Sequence, residues 1–166
     1  LRYAHADMTE LEARLAESAG SRVRMIVTDG VFSMDGDLAK LDRTADLADR
    51  YDADVVDDES HATGVLGKGG RGTPDHFGVA ERIDLVTSTL GKALGGAAGG
   101  FTTGRKELIE LLRQRSRPYL FSNSLPPVIA AAALKAIALV EHGDHLRVNL
   151  MEQAGWLRGQ LAALGF

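Results

Sequence analysis

No cysteine occurs among the 166 residues, which excludes disulfides and thiolate metal sites and leaves a reducing compartment open. No apolar run approaches the roughly 20 residues that span a bilayer, and no signal peptide is read ahead of the first element. A cytoplasmic protein with no membrane partner is therefore expected. Basic tracts and aromatic-basic interleaving are missing and the net charge is -4, so nucleic acid is not an expected partner. Repeats and low-complexity tracts are absent as well. The glycine-rich residues 64–72 lack the P-loop order of Gly, four residues and Gly-Lys-Ser/Thr, and residues 64–78 read as a flexible surface loop. What remains is an ordinary globular balance, 45% hydrophobic and 25% charged, in a chain long enough for one domain with a sizeable core.

The hydrophobic pattern predicts strands and helices in alternation. Asp7 is placed to cap a first helix that ends near Gly20, with Glu10 three residues on. Residues 23–27 read as a strand, 41–51 as an amphipathic helix burying Leu41, Ala45, Leu47 and Ala48, and 54–57 as a second strand. The β-branched run 83–88 is a third strand and 99–103 a fourth. Residues 106–115 form a helix with Leu108, Ile109, Leu111 and Leu112 inward, and 116–124 a polar interruption. Pro126 and Pro127 open an Ala-rich helix over 128–141, expected to be buried on most sides, and 145–164 is a last helix. This order argues an α/β fold whose mostly parallel sheet has right-handed crossovers.

Three polar loops then converge at one edge of that sheet, beyond the strand ends where open α/β sheets bind ligands. They carry Ser33, the pair Asp58 and His61, and Lys92. Lys92 sits among Gly91, Ala93, Gly95 and Gly96, small residues that let backbone approach a planar ligand, while Ser88 and Thr89 offer hydroxyls for a phosphate. Such a lysine can form a Schiff base. A carboxylate can hold a pyridine nitrogen protonated, and an imidazole can bond a phenolic oxygen. Lysine, aspartate and histidine together are the parts that pyridoxal phosphate needs. Plainer readings stand beside this one: a surface lysine in a glycine turn, and Asp57, Asp58 and Glu59 as a solvated acidic turn or half of a magnesium site. No triphosphate-binding loop accompanies such a metal, and no metal site is expected.

Residues 28–36 (Thr-Asp-Gly-Val-Phe-Ser-Met-Asp-Gly), 58–64 (Asp-Glu-Ser-His-Ala-Thr-Gly) and 89–96 (Thr-Leu-Gly-Lys-Ala-Leu-Gly-Gly), in this order, resemble the α-oxoamine synthases. These are pyridoxal phosphate enzymes that join an amino acid to an acyl-CoA. The resemblance covers nearly the whole chain. It implies a three-layer α/β fold, the large domain of the aspartate aminotransferase-like transferases, here incomplete. Residues 113–124 are most similar to the branch that condenses glycine with acetyl-CoA to 2-amino-3-oxobutyrate in threonine breakdown; another branch, or a non-catalytic fragment that only packs with a partner chain, is the alternative. Carried over by position, the resemblance makes Lys92 the Schiff-base lysine and the base for the glycine α-proton. Asp58 would pair with the ring nitrogen and His61 with the phenolic oxygen. Ser33 would lie near the ring and Thr89 would hold the phosphate. Ser122 and Asn123 would reach the phosphate site of the neighbouring subunit, which implies a homodimer.

Two departures accompany the resemblance. The family's ring-stacking histidine and Gly-aromatic phosphate loop would precede Leu1, and its substrate-carboxylate arginine would follow Phe166. The chain is thus expected to hold part of the large domain in 1–142 and the start of the small one in 143–166. Asp57 stands where relatives carry an apolar residue, and with Asp54 it puts two extra carboxylates into a buried strand. Two unpaired buried charges cost several kcal/mol, so that strand is expected to be exposed or the sequence drifted. The chain alone is expected to turn over glycine and acetyl-CoA little or not at all; a coupled assay for released CoA on the purified chain checks this, and family-like rates contradict it.

Overall fold

The computed structural model describes residues 1–95 and 98–166. Gly96, one of the small residues assigned to the lysine turn, lies outside the described residues. The first helix, α1 (Met8–Glu17), starts where Asp7 accepts hydrogen bonds from the Thr9 and Glu10 N–H groups. Glu10 does not close a reciprocal box on Asp7. Its carboxylate takes the Ala4 N–H at 2.8 Å and so fixes the chain entering the helix. Leu11 and Leu15, four apart on one face, are the buried residues of α1.

Strand β1 (Met25–Asp29) lies two residues later than the pattern suggested, because its ladder to β2 (Asp54–Asp58) runs from Met25↔Asp54 to Asp29↔Asp58. Between them α2 (Leu41–Tyr51) has the predicted bounds and buries Leu41, Ala45, Leu47 and Ala48 as expected. Strand β3 (Leu85–Thr89) pairs parallel with β2, and β4 (Gly100–Gly104) closes the sheet antiparallel to β3. The sheet order is β1-β2-β3-β4. Strand residues alternate between faces. On one face Ile26 and Val55 meet Leu11, Leu15, Leu41 and Ala45 in the main core. On the other, Met25 and Val27 stand exposed, Val27 at 62%.

Residues 64–78 are not a loose loop. They contain a short 3₁₀ turn, Lys68–Gly70, and a one-turn helix α3 (Thr73–His76), with Gly70, Gly72, Thr73 and Pro74 buried. The glycines take positive φ at 67, 69, 70 and 72, which lets the backbone fold back on itself, so glycine here encodes compactness. Helix α4 (Lys106–Arg115) matches its predicted span, but Leu111 is exposed and the other three leucine and isoleucine positions are half-buried. A short helix α5 (Arg117–Phe121) occupies the predicted polar interruption.

Helix α6 (Pro127–Glu141) begins at its proline as expected. It is not buried on most sides: Ala133 alone is buried, and Leu134 is 70% exposed. The reason is stoichiometric, since among the described residues the core it meets is the small cluster of Leu90, Leu94 and Ala133. Helix α7 (Asp144–Ala163) completes the chain. Among the described residues no helix is long and apolar enough to cross a membrane. Replacing the α1 cap, Asp7→Ala, should cost about 1 kcal/mol, read as a lower urea midpoint with unchanged slope.

Candidate functional site

Because β1, β2 and β3 are parallel, their C-terminal ends emerge together. β2 delivers Asp58 and then Glu59, Ser60 and His61; β3 delivers Thr89 and the lysine turn. Lys92 Nζ lies 2.9 Å from His61 Nε2, and both side chains are exposed. An ammonium donates and a neutral imidazole Nε2 accepts. The turn is anchored by Leu90 and Leu94, which bury their side chains against Ala133. Lys92, between these two anchors, is left projecting.

Asp58 is half-buried and lies opposite Thr87 in the ladder. Its carboxylate accepts the Ser60 N–H at 2.9 Å. Burial pushes this acid up, but hydrogen bonds from the Ser60 and Thr87 hydroxyls and the Ser60 N–H, with the Lys92 charge, outweigh it and hold Asp58 below the usual range. It is an anion at neutral pH.

Thr89 donates its hydroxyl to the Gly99 carbonyl at 3.2 Å and accepts the Gly91 N–H at the same distance. Beneath it Ser88 is buried, hydrogen-bonded to Thr63 at 2.8 Å and to the Glu59 carbonyl at 3.3 Å. Lys92, His61 and Asp58 thus come together. Ser33 lies exposed in the turn between the bridged residues Val31 and Leu38, while Ser122 and Asn123 lie exposed beyond α5. Among the described residues no hydrogen bond joins these three side chains to the lysine.

The sequence reading missed Glu59. Successive strand residues face opposite ways, so Asp57 and Glu59 point away from Asp58 and into the fold, 0% and 1% exposed. This overturns the solvated acidic turn and, with it, the expectation of an exposed strand. Asp54 is not unpaired either: Arg105 bonds it at 2.9 Å. Glu59 accepts the Thr73 N–H at 2.7 Å and also the Thr73 hydroxyl. Gly30 and Gly72 flank it so closely that a Cβ on either would collide with its carboxyl group. Asp57 Oδ2 is 3.4 Å from the same hydroxyl, and Oδ1 has no partner. Burial, then the charge of Glu59, push the Asp57 acid up to about 8. Acids on both sides of Asp58, with Gly30 and Gly72 to make room, were the available signal.

The family "Aminotransferase class I and II" matches residues 1–166. The chain is similar to 2-amino-3-ketobutyrate coenzyme A ligase of Escherichia coli K12, 57% identical over 99% of this chain and 42% of that protein. It is also similar to the mitochondrial protein of that name from Homo sapiens, 50% identical over 99% of this chain and 39% of that protein. To 8-amino-7-oxononanoate synthase of Thermoanaerobacter pseudethanolicus it is 48% identical, over 99% of this chain and 42% of that protein. Among solved structures, a serine palmitoyltransferase from S. paucimobilis with a bound PLP-myriocin aldimine matches with TM-score 0.93 and 34% identity, covering 98% of this chain and 42% of that one. The chain therefore spans about two fifths of the length of these curated relatives.

Gly30→Ala should destabilise the fold by about 2 kcal/mol or more, the scale of overpacking a closed site. Gly20→Ala, where nothing lies within 4 Å of the added carbon, should stay within about 0.5 kcal/mol of the parent. Denaturant titrations of the two variants test the difference.

Proposed function

The chain belongs to the aminotransferase class I and II family, and within it to the α-oxoamine synthases; from that premise we propose that it carries the cofactor-binding core of a glycine C-acetyltransferase, or 2-amino-3-ketobutyrate CoA ligase. The reaction joins the α-carbon of glycine to the acetyl carbonyl of acetyl-CoA, giving 2-amino-3-oxobutyrate and releasing CoA, a step of threonine breakdown. The observation that carries this reading is the Lys92 amine 2.9 Å from His61, beside an ionised Asp58 at the end of the neighbouring strand.

The side chains offer a chemical counterpart for each polar group of pyridoxal phosphate: the Lys92 amine for its aldehyde, Asp58 for the pyridine nitrogen, His61 for the phenolic oxygen and the Thr89 hydroxyl for the phosphate. When bound, that cofactor supplies an electron sink for a carbanion at the amino-acid α-carbon. Asp58, kept anionic by Ser60 and Thr87, would hold a proton on the ring nitrogen; a neutral carboxyl would not. His61, 2.9 Å from the Lys92 amine, would bond the phenolic oxygen, and Lys92 would take the α-proton of glycine. Ser33, in the loop after β1, would lie near the ring.

In this reading Ser122 and Asn123 serve the neighbouring subunit of a cytoplasmic homodimer, and their exposure supports that assignment. In this reading residues 1–142 belong to the large domain and 143–166 begin the small one, a division that the break between α6 and α7 supports. The 48% identity to an 8-amino-7-oxononanoate synthase favours a second reading, the same chemistry with another acyl donor.

In the full-length protein, Lys92→Ala should lower glycine-dependent CoA release by about 10³-fold or more and Asp58→Asn by about 10²-fold. Faster turnover of a longer acyl-CoA than of acetyl-CoA would select the second reading. Undiminished rates in Lys92→Ala would contradict both.

A further inference from the structure

The two carboxyl groups behind the site have too few donors. Asp57 and Glu59 are essentially inaccessible, and together two ionised carboxylates would present four acceptor oxygens. The hydrogens that reach them are the Thr73 N–H and the Thr73 hydroxyl, and both go to Glu59. Asp57 has only the far side of that hydroxyl at 3.4 Å, and its Oδ1 has nothing. Among the described residues no lysine or arginine forms an ion pair with either acid; Asp58, turned the other way with Lys92 as its cation, adds only its through-space negative charge. A third hydrogen is needed to close the cluster.

We propose that Asp57 and Glu59 hold one proton between them and act as a clamp that ties residues 67–73 to the end of β2, so positioning Asp58 and His61 for the cofactor. The clamp joins three segments: β2 through the two acids, the residue 72–73 backbone through the Thr73 N–H, and the turn after β1 through the close packing of Gly30. The proton resides on Asp57, since Glu59 takes both donors and is the better-satisfied anion. Asp58 and His61 leave the same five residues of chain, 57–61, on the opposite side. Loss of the clamp proton would put two charges in one dry site and release the 67–73 segment, and His61 would lose its fixed distance to Lys92.

Asp57 is raised from 3.8 to about 8 in the fold, so between these values the native state binds a proton that the unfolded state lacks. Stability therefore falls as pH rises through that window and is level above it. Asp57→Asn removes the titration and supplies an amide donor in the same volume. Asp57→Val removes it with an apolar strand residue.

The test compares the full chain with both variants. Melting temperature is followed from about pH 5 to pH 9, and pyridoxal phosphate affinity by absorbance titration at both ends of that range. The advantage of each variant over the parent should widen as pH rises to about 8 and then level. Parent affinity for pyridoxal phosphate should fall by about tenfold more than variant affinity as the clamp opens. A variant-to-parent offset that is constant with pH, in whichever variant folds, overturns the clamp. An affinity that falls equally in parent and variants overturns the positioning role. The cofactor arm rests on the function proposed above, and the stability arm does not: a parent that takes up no pyridoxal phosphate at any pH refutes that function and the positioning role, while the melting curves still decide the shared proton.

Discussion

Parallel pairing of β2 with β3 brings the groups of the site together. Hydrogen bonding across that ladder sets Asp58 opposite Thr87, and since both strands run the same way, whatever follows them emerges on one side. A histidine three residues past one strand end and a lysine three past the other then meet at 2.9 Å. Antiparallel pairing would have sent them to opposite ends of the sheet. The chemistry proposed for the lysine depends on strand direction before it depends on any side chain.

The alternation of faces along β2 divides the labour. Asp58 turns to the side where Lys92 and Thr87 help keep it charged; Asp57 and Glu59 turn inward, where burial favours the protonated form. Environment alone thus raises Asp57 and Glu59 and lowers Asp58 along three consecutive residues. Glu59 has a structural reach its neighbours lack, because Thr73, Gly30 and Gly72 all take their places around it.

Much of the fold was legible in local pattern. The bounds of α2 and α4 follow from helical periodicity, and the start of α6 from its proline. β1 was displaced because its apolar run begins before its hydrogen-bonding partner does, and pairing decides. The exposure of α6 was not legible: an Ala-rich helix advertises a buried environment, but what packs against it is a property of the assembled chain. The three motifs were legible in order, and the 2.9 Å approach of Lys92 to His61 supports the site proposed from them. Glu59 was hidden because its partners lie 14 residues ahead at Thr73 and far behind at Gly30, a closure that only the folded backbone shows.

The central claim is that Lys92, among all the amines of the chain, is the one set apart for covalent chemistry with a carbonyl cofactor. Incubating the protein with pyridoxal phosphate, reducing with borohydride and mapping the labelled peptide by mass spectrometry tests it most directly. The account predicts the cofactor mass on the peptide containing Lys92 and none on those containing Lys40, Lys68, Lys106 or Lys135. Label spread evenly over the lysines, or absent from Lys92, would contradict it.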